Sequence, residues 1–153
     1  MTAAVTLAAL GNGPAFSAYP SGDQSFSAST WTKVNFATEE FDTNSNFTSS
    51  RFTPTTAGYY QINTSIFISF SGSPPAITQT AIYKNGSGYR AGYMAHTTSG
   101  PYGAAEVADI IYLNGSTDYV EVYVISGSAT AFVDAAVSSV PTAFFSGAMV
   151  RGA

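Results

Sequence analysis

The chain has 153 residues, with five Lys plus Arg against nine Asp plus Glu and a formal net charge of −4. Charged residues make up 9%, where roughly 25% is usual, and 20 Ser and 18 Thr stand in their place. The balance leaves no basic footprint for nucleic acid, the absence of Cys excludes disulfide and thiolate chemistry, and a single histidine, His96, excludes His-rich metal or relay sites.

In chain order, residues 1–13 read as an N-terminal arm, flexible or anchoring. Its apolar run has no positively charged start and ends at Gly11, unlike a secretory signal. Residues 14–153 then read as one domain of strand after strand. Gly58 to Phe70 alternates, with Tyr60, Ile62, Ile66, Ile68 and Phe70 on one parity and Gln61, Asn63, Ser65 and Ser69 on the other. Period-two alternation of β-branched and aromatic residues predicts a strand buried on one face. Pro74-Pro75 then breaks the chain. Ala76 to Lys84 predicts another strand, closed by a hairpin turn at Asn85-Gly86. Gly100-Pro101-Tyr102-Gly103 predicts a further break, and Ile110 to Leu113 a strand ending at a second hairpin signal, Asn114-Gly115. Asp118 to Ile125 places Val120, Val122 and Val124 inward and Tyr119, Glu121 and Tyr123 outward, and Ala143 to Val150 closes the chain. No run of residues carries a 3.6 period with caps. The expectation is an all-β sandwich of about ten strands.

Five short stretches, in order, resemble the globular C1q-like domain, which shares the jelly-roll fold of tumour necrosis factor. Pro14-Ala15-Phe16-Ser17-Ala18-Tyr19 is similar to its opening strand, and Trp31-Thr32-Lys33-Val34-Asn35-Phe36 to the next. Phe52, Gly58, Tyr60 and Ile62 follow the family spacing, with Ile62 in place of an aromatic. Ile111-x-Leu113 with Asp118-x-Val120 resembles a further motif, with two extra residues in its turn, and Phe145-Ser146-Gly147 resembles the closing strand. The departures at Ile62, Thr64 and that turn suggest a distant branch rather than an animal complement protein. The wording is also similar to C1q-like modules encoded by bacteria and phages, on tail fibres and virion surfaces.

The resemblance implies a homotrimer, with one sheet of each jelly roll around a threefold axis. Three strands carry apolar residues on both parities, as a sheet covered on both sides should. The expected trimer interface is therefore Tyr59, Phe67, Ala108, Ile110, Tyr112, Phe144, Ala148 and Val150. Some members of the family bind calcium, and oxygen ligands exist in Glu106, Asp109, Asp118 and Asp134. Glu106 and Asp109 are placed near the axis. No contiguous calcium loop is present, and no metal or cofactor is assigned.

Catalysis finds no support: no nucleophile elbow exists, His96 reads as a loop residue, and Glu39-Glu40 read as solvated acids on a loop. Four N-x-[ST] triplets, at Asn46, Asn63, Asn85 and Asn114, read as chance matches. Tyr89, Tyr93 and Tyr102, in or beside turns, and Tyr119 and Tyr123, protruding from the outer sheet, are candidate contacts for a surface partner. The expected function is a non-enzymatic structural protein on a phage virion, a capsid decoration or fibre-tip module. The rival is a recognition module for a host cell-surface glycan or protein, outside the cell or on a bacterial surface. Neither membrane insertion nor nucleic-acid binding is expected.

Overall fold

A computed structural model describes residues 13–71, 77–95, 102–127, 131–137 and 139–153. Among these every regular element is a strand. In order they are β1 (Ala15–Tyr19), β2 (Gln24–Ser25), β3 (Thr32–Lys33), β4 (Thr38–Asp42) and β5 (Phe47–Thr48). Then come β6 (Arg51–Phe52), β7 (Gly58–Phe70), β8 (Ile77–Lys84), β9 (Ser87–Ala95) and β10 (Tyr102–Leu113). The last are β11 (Val120–Ser126), β12 (Ala131–Val133), β13 (Ala136–Val137), β14 (Val140–Pro141) and β15 (Phe144–Gly152).

Two antiparallel sheets face each other. In the β7 sheet, β10 pairs with one edge of β7 along its length. The other edge of β7 is shared by β15 and β12, and β15 continues to β1 and β4. In the β11 sheet, β9, β8 and β11 run side by side, and β3 and β6 share the far edge of β11. Strands adjacent in sequence thus pass repeatedly from one sheet to the other. This is the jelly-roll arrangement.

Alternation decides what is inside. Tyr60, Ile62, Ile66 and Ile68 of β7, Ile111 and Leu113 of β10, and Val120, Val122 and Val124 of β11 are fully buried. At one end the Phe16 ring stacks on Phe52 at 4.4 Å and Phe47 at 4.9 Å, and meets Phe145 edge-on at 4.8 Å. Such pairs add about 0.5–1.5 kcal/mol each beyond their buried area. Tyr60 closes the cluster, its hydroxyl donating to Thr56 O at 2.7 Å, and burial pushes the phenol up to about 12. The stretches that carry the family resemblance are therefore the ones that meet in this core.

Three sequence expectations change. Asn114-Gly115 does not join a hairpin: β10 lies in the β7 sheet and β11 in the other, so the turn crosses between sheets. The dipeptide still serves a tight turn, because Asn114 Oδ1 accepts from the N–H groups of Ser116, Thr117 and Asp118. Gly115 has φ +71°, and a Cβ there would collide with the backbone of Thr56 and Ala57. Glu39 and Glu40 lie in β4, not on a loop; opposite Ser17 and Ala18 the register shifts and leaves Glu40 as the extra residue of a bulge, which breaks the alternation. Tyr102 and Gly103 open the long strand β10 instead of a break. Residues 1–12, Pro74, Pro75, Ala76, His96, Gly100 and Pro101 lie outside the described residues.

Candidate functional site

The outer face of the β7 sheet collects the eight residues expected to face a partner copy. Tyr59, Ile110, Tyr112, Phe144 and Val150 are 41–52% exposed, and Ala108 and Ala148 are exposed beside them. Register explains the grouping. Tyr112 is opposite Tyr59, with ring centroids 5.4 Å apart, and Ile110 is opposite Gln61, which is itself opposite Ala148. Phe67 is only half-buried and stacks on Tyr102 at 6.0 Å, at the other end of the sheet.

Between these apolar ends runs a polar furrow. An open depression of about 590 Å³ is lined by Asn63, Ser65, Glu106, Ala108, Phe144 and Ser146. Glu106 is exposed and opposite Ser65, whose hydroxyl donates to it at 3.4 Å. Phe41, 50% exposed on the edge strand β4, borders a second hollow of about 190 Å³ beside Gln61, Ser146 and Ala148. Sequence reading missed Phe41 because residues 38–42 lacked a clean alternation.

The outer face of the β11 sheet is built differently. Glu121 points outward as its parity predicts, yet its side chain is only 3% exposed. Lys33 Nζ reaches its Oε1 at 2.7 Å and Arg51 Nε at 2.9 Å. Burial opposes ionisation of this carboxyl, but the hydrogen bonds from Lys33 and Arg51 prevail and hold it below the usual carboxylate range. The same contact raises the Arg51 guanidinium, whose carbon lies 3.9 Å above the Tyr119 ring. Tyr123 stacks on Tyr83 at 4.1 Å, and Trp31 meets Tyr83 edge-on at 5.8 Å. Tyr119 and Tyr123 are therefore half-buried in a network within the chain and do not protrude. Nothing in local alternation distinguishes a free outward Tyr from one covered by an arginine 68 residues away.

The other tyrosines separate clearly. Tyr93 is 73% exposed, Tyr102 60% and Tyr89 43%. Tyr89 and Tyr93 both lie on strand β9, Tyr89 just beyond the Asn85-Gly86 turn and Tyr93 farther along. The four acids considered as oxygen ligands are dispersed. Asp109 faces the opposite way from Glu106, off the expected axis face, and takes Arg90 Nε at 2.6 Å. Asp118 accepts from Asn85 at 2.7 Å, a bond that draws its carboxyl below the ordinary value against burial, with Lys84 at 3.0 Å assisting. Asp134 accepts from Ser69 at 2.8 Å. Among the described residues no three His, Asp or Glu gather as a metal group.

No protein-family model matches this sequence, and no curated protein matches it. Solved structures do match by shape. Murine APRIL at pH 8.0 superposes with a TM-score of 0.65 at 12% identity, covering 90% of this chain and 99% of that one. The Eiger TNF of S. frugiperda superposes with a TM-score of 0.66 at 12% identity, covering 92% of this chain and 93% of that one. The fold is the tumour-necrosis-factor-like jelly roll expected from the sequence.

Proposed function

We propose that this chain is a non-enzymatic, homotrimeric structural protein of a phage virion, a capsid decoration or fibre-tip module. The observation that carries the trimer is the outer face of the β7 sheet. A central sheet of the fold presents Tyr59, Ile110, Tyr112, Phe144 and Val150 to solvent in the single chain. With Phe41 and Tyr102 they offer on the order of 500 Å² of apolar side chain per protomer. At about 25 cal/mol per Å² that grosses roughly 12 kcal/mol before association costs. Exposed apolar area of this size commonly marks an interaction surface.

A structural role is supported by the chemistry of that face as well. The depression on it brings together one carboxylate, Glu106, with Asn63, Ser65 and Ser146, and no second acid or base lines it. The virion setting rests on the likeness of the sequence to phage-encoded modules, and the arm of residues 1–13 is then the anchor to the shell. The receptor-recognition reading draws on Tyr93, which is 73% exposed on the other sheet.

Light scattering of the purified chain tests the trimer, and co-sedimentation with capsids tests the setting. A particle three times the 15.9 kDa chain mass is expected, with capsid binding lost when residues 1–13 are deleted while the trimer persists. A monodisperse monomer overturns the trimer. Capsid occupancy unchanged by the deletion overturns the anchor.

A further inference from the structure

The β11 sheet carries a hollow that the assembly proposal does not use. It measures about 240 Å³ and is lined by Trp31, Ala81, Tyr83, Gly88, Tyr89 and Arg90, with Ala91 at its margin. Its shape follows from register. Tyr83 is paired with Gly88 and Ala81 with Ala91, so small residues form the floor beside large rings. The pairing shifts between Ile82 and Tyr83, which leaves Tyr89 as the extra residue of a β-bulge. Bulges re-aim side chains, and here Tyr89 becomes a wall of the hollow, 43% exposed.

The polar inventory is specific. Among the described residues neither the Trp31 indole N–H nor the Tyr83 hydroxyl has a protein hydrogen-bond partner. Burial raises the Tyr83 phenol above its ordinary value, so it stays a neutral donor. Arg90, at the lip, is already neutralised by Asp109. Lys33, Arg51 and Lys84 are likewise paired with acids. With a net charge of −4 and no unpaired cation in the hollow, an anionic ligand gains nothing here.

We propose that this hollow binds a ring of a neutral polysaccharide, stacked against Trp31, Tyr83 and Tyr89 and hydrogen-bonded by their indole and hydroxyl groups. Aromatic side chains with a polar tip suit a ligand whose one face is C–H and whose rim is hydroxyl. The site is complete within one chain and lies on the sheet opposite the apolar face. It therefore stands without the trimer; a trimer adds three outward copies and the avidity that goes with them.

Trp31 is the sole tryptophan, so its emission reports occupancy directly. The test is an array of neutral hexose and N-acetylhexosamine oligosaccharides beside sialylated, uronic and sulfated ones, followed by titration of the hits against Trp31 emission. Binding to neutral members with a saturable emission change is expected. Gly88→Leu fills the hollow: a Cβ there meets only the Tyr83 ring, at 3.8 Å, so the chain has room for it. Gly88→Leu and Tyr89→Ala should each weaken binding about tenfold or more, the scale of one aromatic contact, with thermal melting and particle size unchanged. Tyr93→Ala, on the same strand, should leave binding intact. Binding confined to acidic glycans, binding unaffected by both hollow variants, or no binding across the array each overturns the proposal. Particle size is read separately, so failure here and failure of the trimer are told apart.

Discussion

On the outer face of the β7 sheet Tyr59, Ile110, Tyr112, Phe144 and Val150 stand in solvent. On the outer face of the β11 sheet Tyr83, Tyr119 and Tyr123 are instead covered by their own chain, through Trp31, Arg51 and each other. Both faces are rich in aromatics, so composition does not separate them. What separates them is where the charges went. Lys33, Arg51 and Glu121 all serve the β11 sheet, whereas the furrow of the β7 face holds Glu106 among uncharged neighbours. The β11 face pairs its charges within the chain, whereas the β7 face leaves its large apolar side chains in solvent.

The sharpest way to break this contrast is to charge the unsatisfied face. Ile110→Asp combined with Phe144→Asp should convert the proposed trimer to folded monomers, read by light scattering, with the circular dichroism of the wild type. Both side chains are about half exposed in the single chain, so folding loses little while each interface gains buried, unpaired charges. An unchanged particle size would remove the β7 face as the interface.

Disturbing the self-satisfied face should do the reverse, lowering stability and sparing assembly. Glu121→Ala leaves Lys33 and Arg51 facing one another without a counter-charge. Buried pairs broken this way cost about 3–5 kcal/mol. Because Lys33 and Arg51 are 31% and 42% exposed, solvent screening reduces the expected loss to about 2–3 kcal/mol in denaturant unfolding. The pH dependence has a definite sign. The Glu121 carboxyl is held below its ordinary value of 4.5 in the folded chain. Its stabilising contribution is thus complete above that value and fades as pH falls through the lower folded one. The stability gap between wild type and Glu121→Gln should therefore narrow on acidification below about pH 4.

A middle-sized effect is expected where a buried hydroxyl ties the β5–β6 turn to the chain that follows β3. Ser50 is 3% exposed, and its Oγ accepts from Phe36 N at 2.8 Å while donating to Asn35 Oδ1 at 3.1 Å. Ser50→Ala orphans a buried N–H, with an expected cost of about 1–3 kcal/mol by denaturant unfolding and no change in particle size.

The contrast between the faces also marks what the chain discloses on its own. The alternation from Gly58 to Phe70 gives β7 to the residue, and the parity of β10 and β15 gives the exposed set, because a strand's two faces are written two residues apart. The cover over Glu121 is not written locally: Lys33 is 88 residues away and Arg51 70. The Trp31 hollow depends on a bulge and on which small residues fall opposite Tyr83, which is a matter of register between β8 and β9. Asn114-Gly115 shows the limit from the other side. The turn chemistry is right, but a turn does not say whether the next strand returns to the same sheet.

The smallest effect concerns the hairpin that carries Arg51 onto the β11 face. β5 and β6 are joined by Ser49 and Ser50, with φ of +51° and +58°. Two positive φ values in a two-residue connection belong to the turn type that favours Asn-Gly, since it matches the twist of the strands. A serine in this region bears a cost of about 1–2 kcal/mol that glycine escapes. Ser50 offsets it with its buried hydrogen bonds, but the Ser49 side chain is exposed and only its carbonyl is engaged, by Lys33 Nζ at 2.8 Å. Ser49→Gly keeps that carbonyl and relieves the backbone, while adding about 0.5–1 kcal/mol of unfolded-state entropy. The expected net gain is about 0.5 kcal/mol, or a rise of roughly 1–2 °C in melting temperature, with Ser49→Asn falling between. The Glu121–Arg51 pair should gain with it, because the strand that presents Arg51 is held more firmly. A melting temperature unchanged or lowered in Ser49→Gly would mean that the hairpin is set by the Lys33 contact alone, and that the β11 face is fastened from its charges outward.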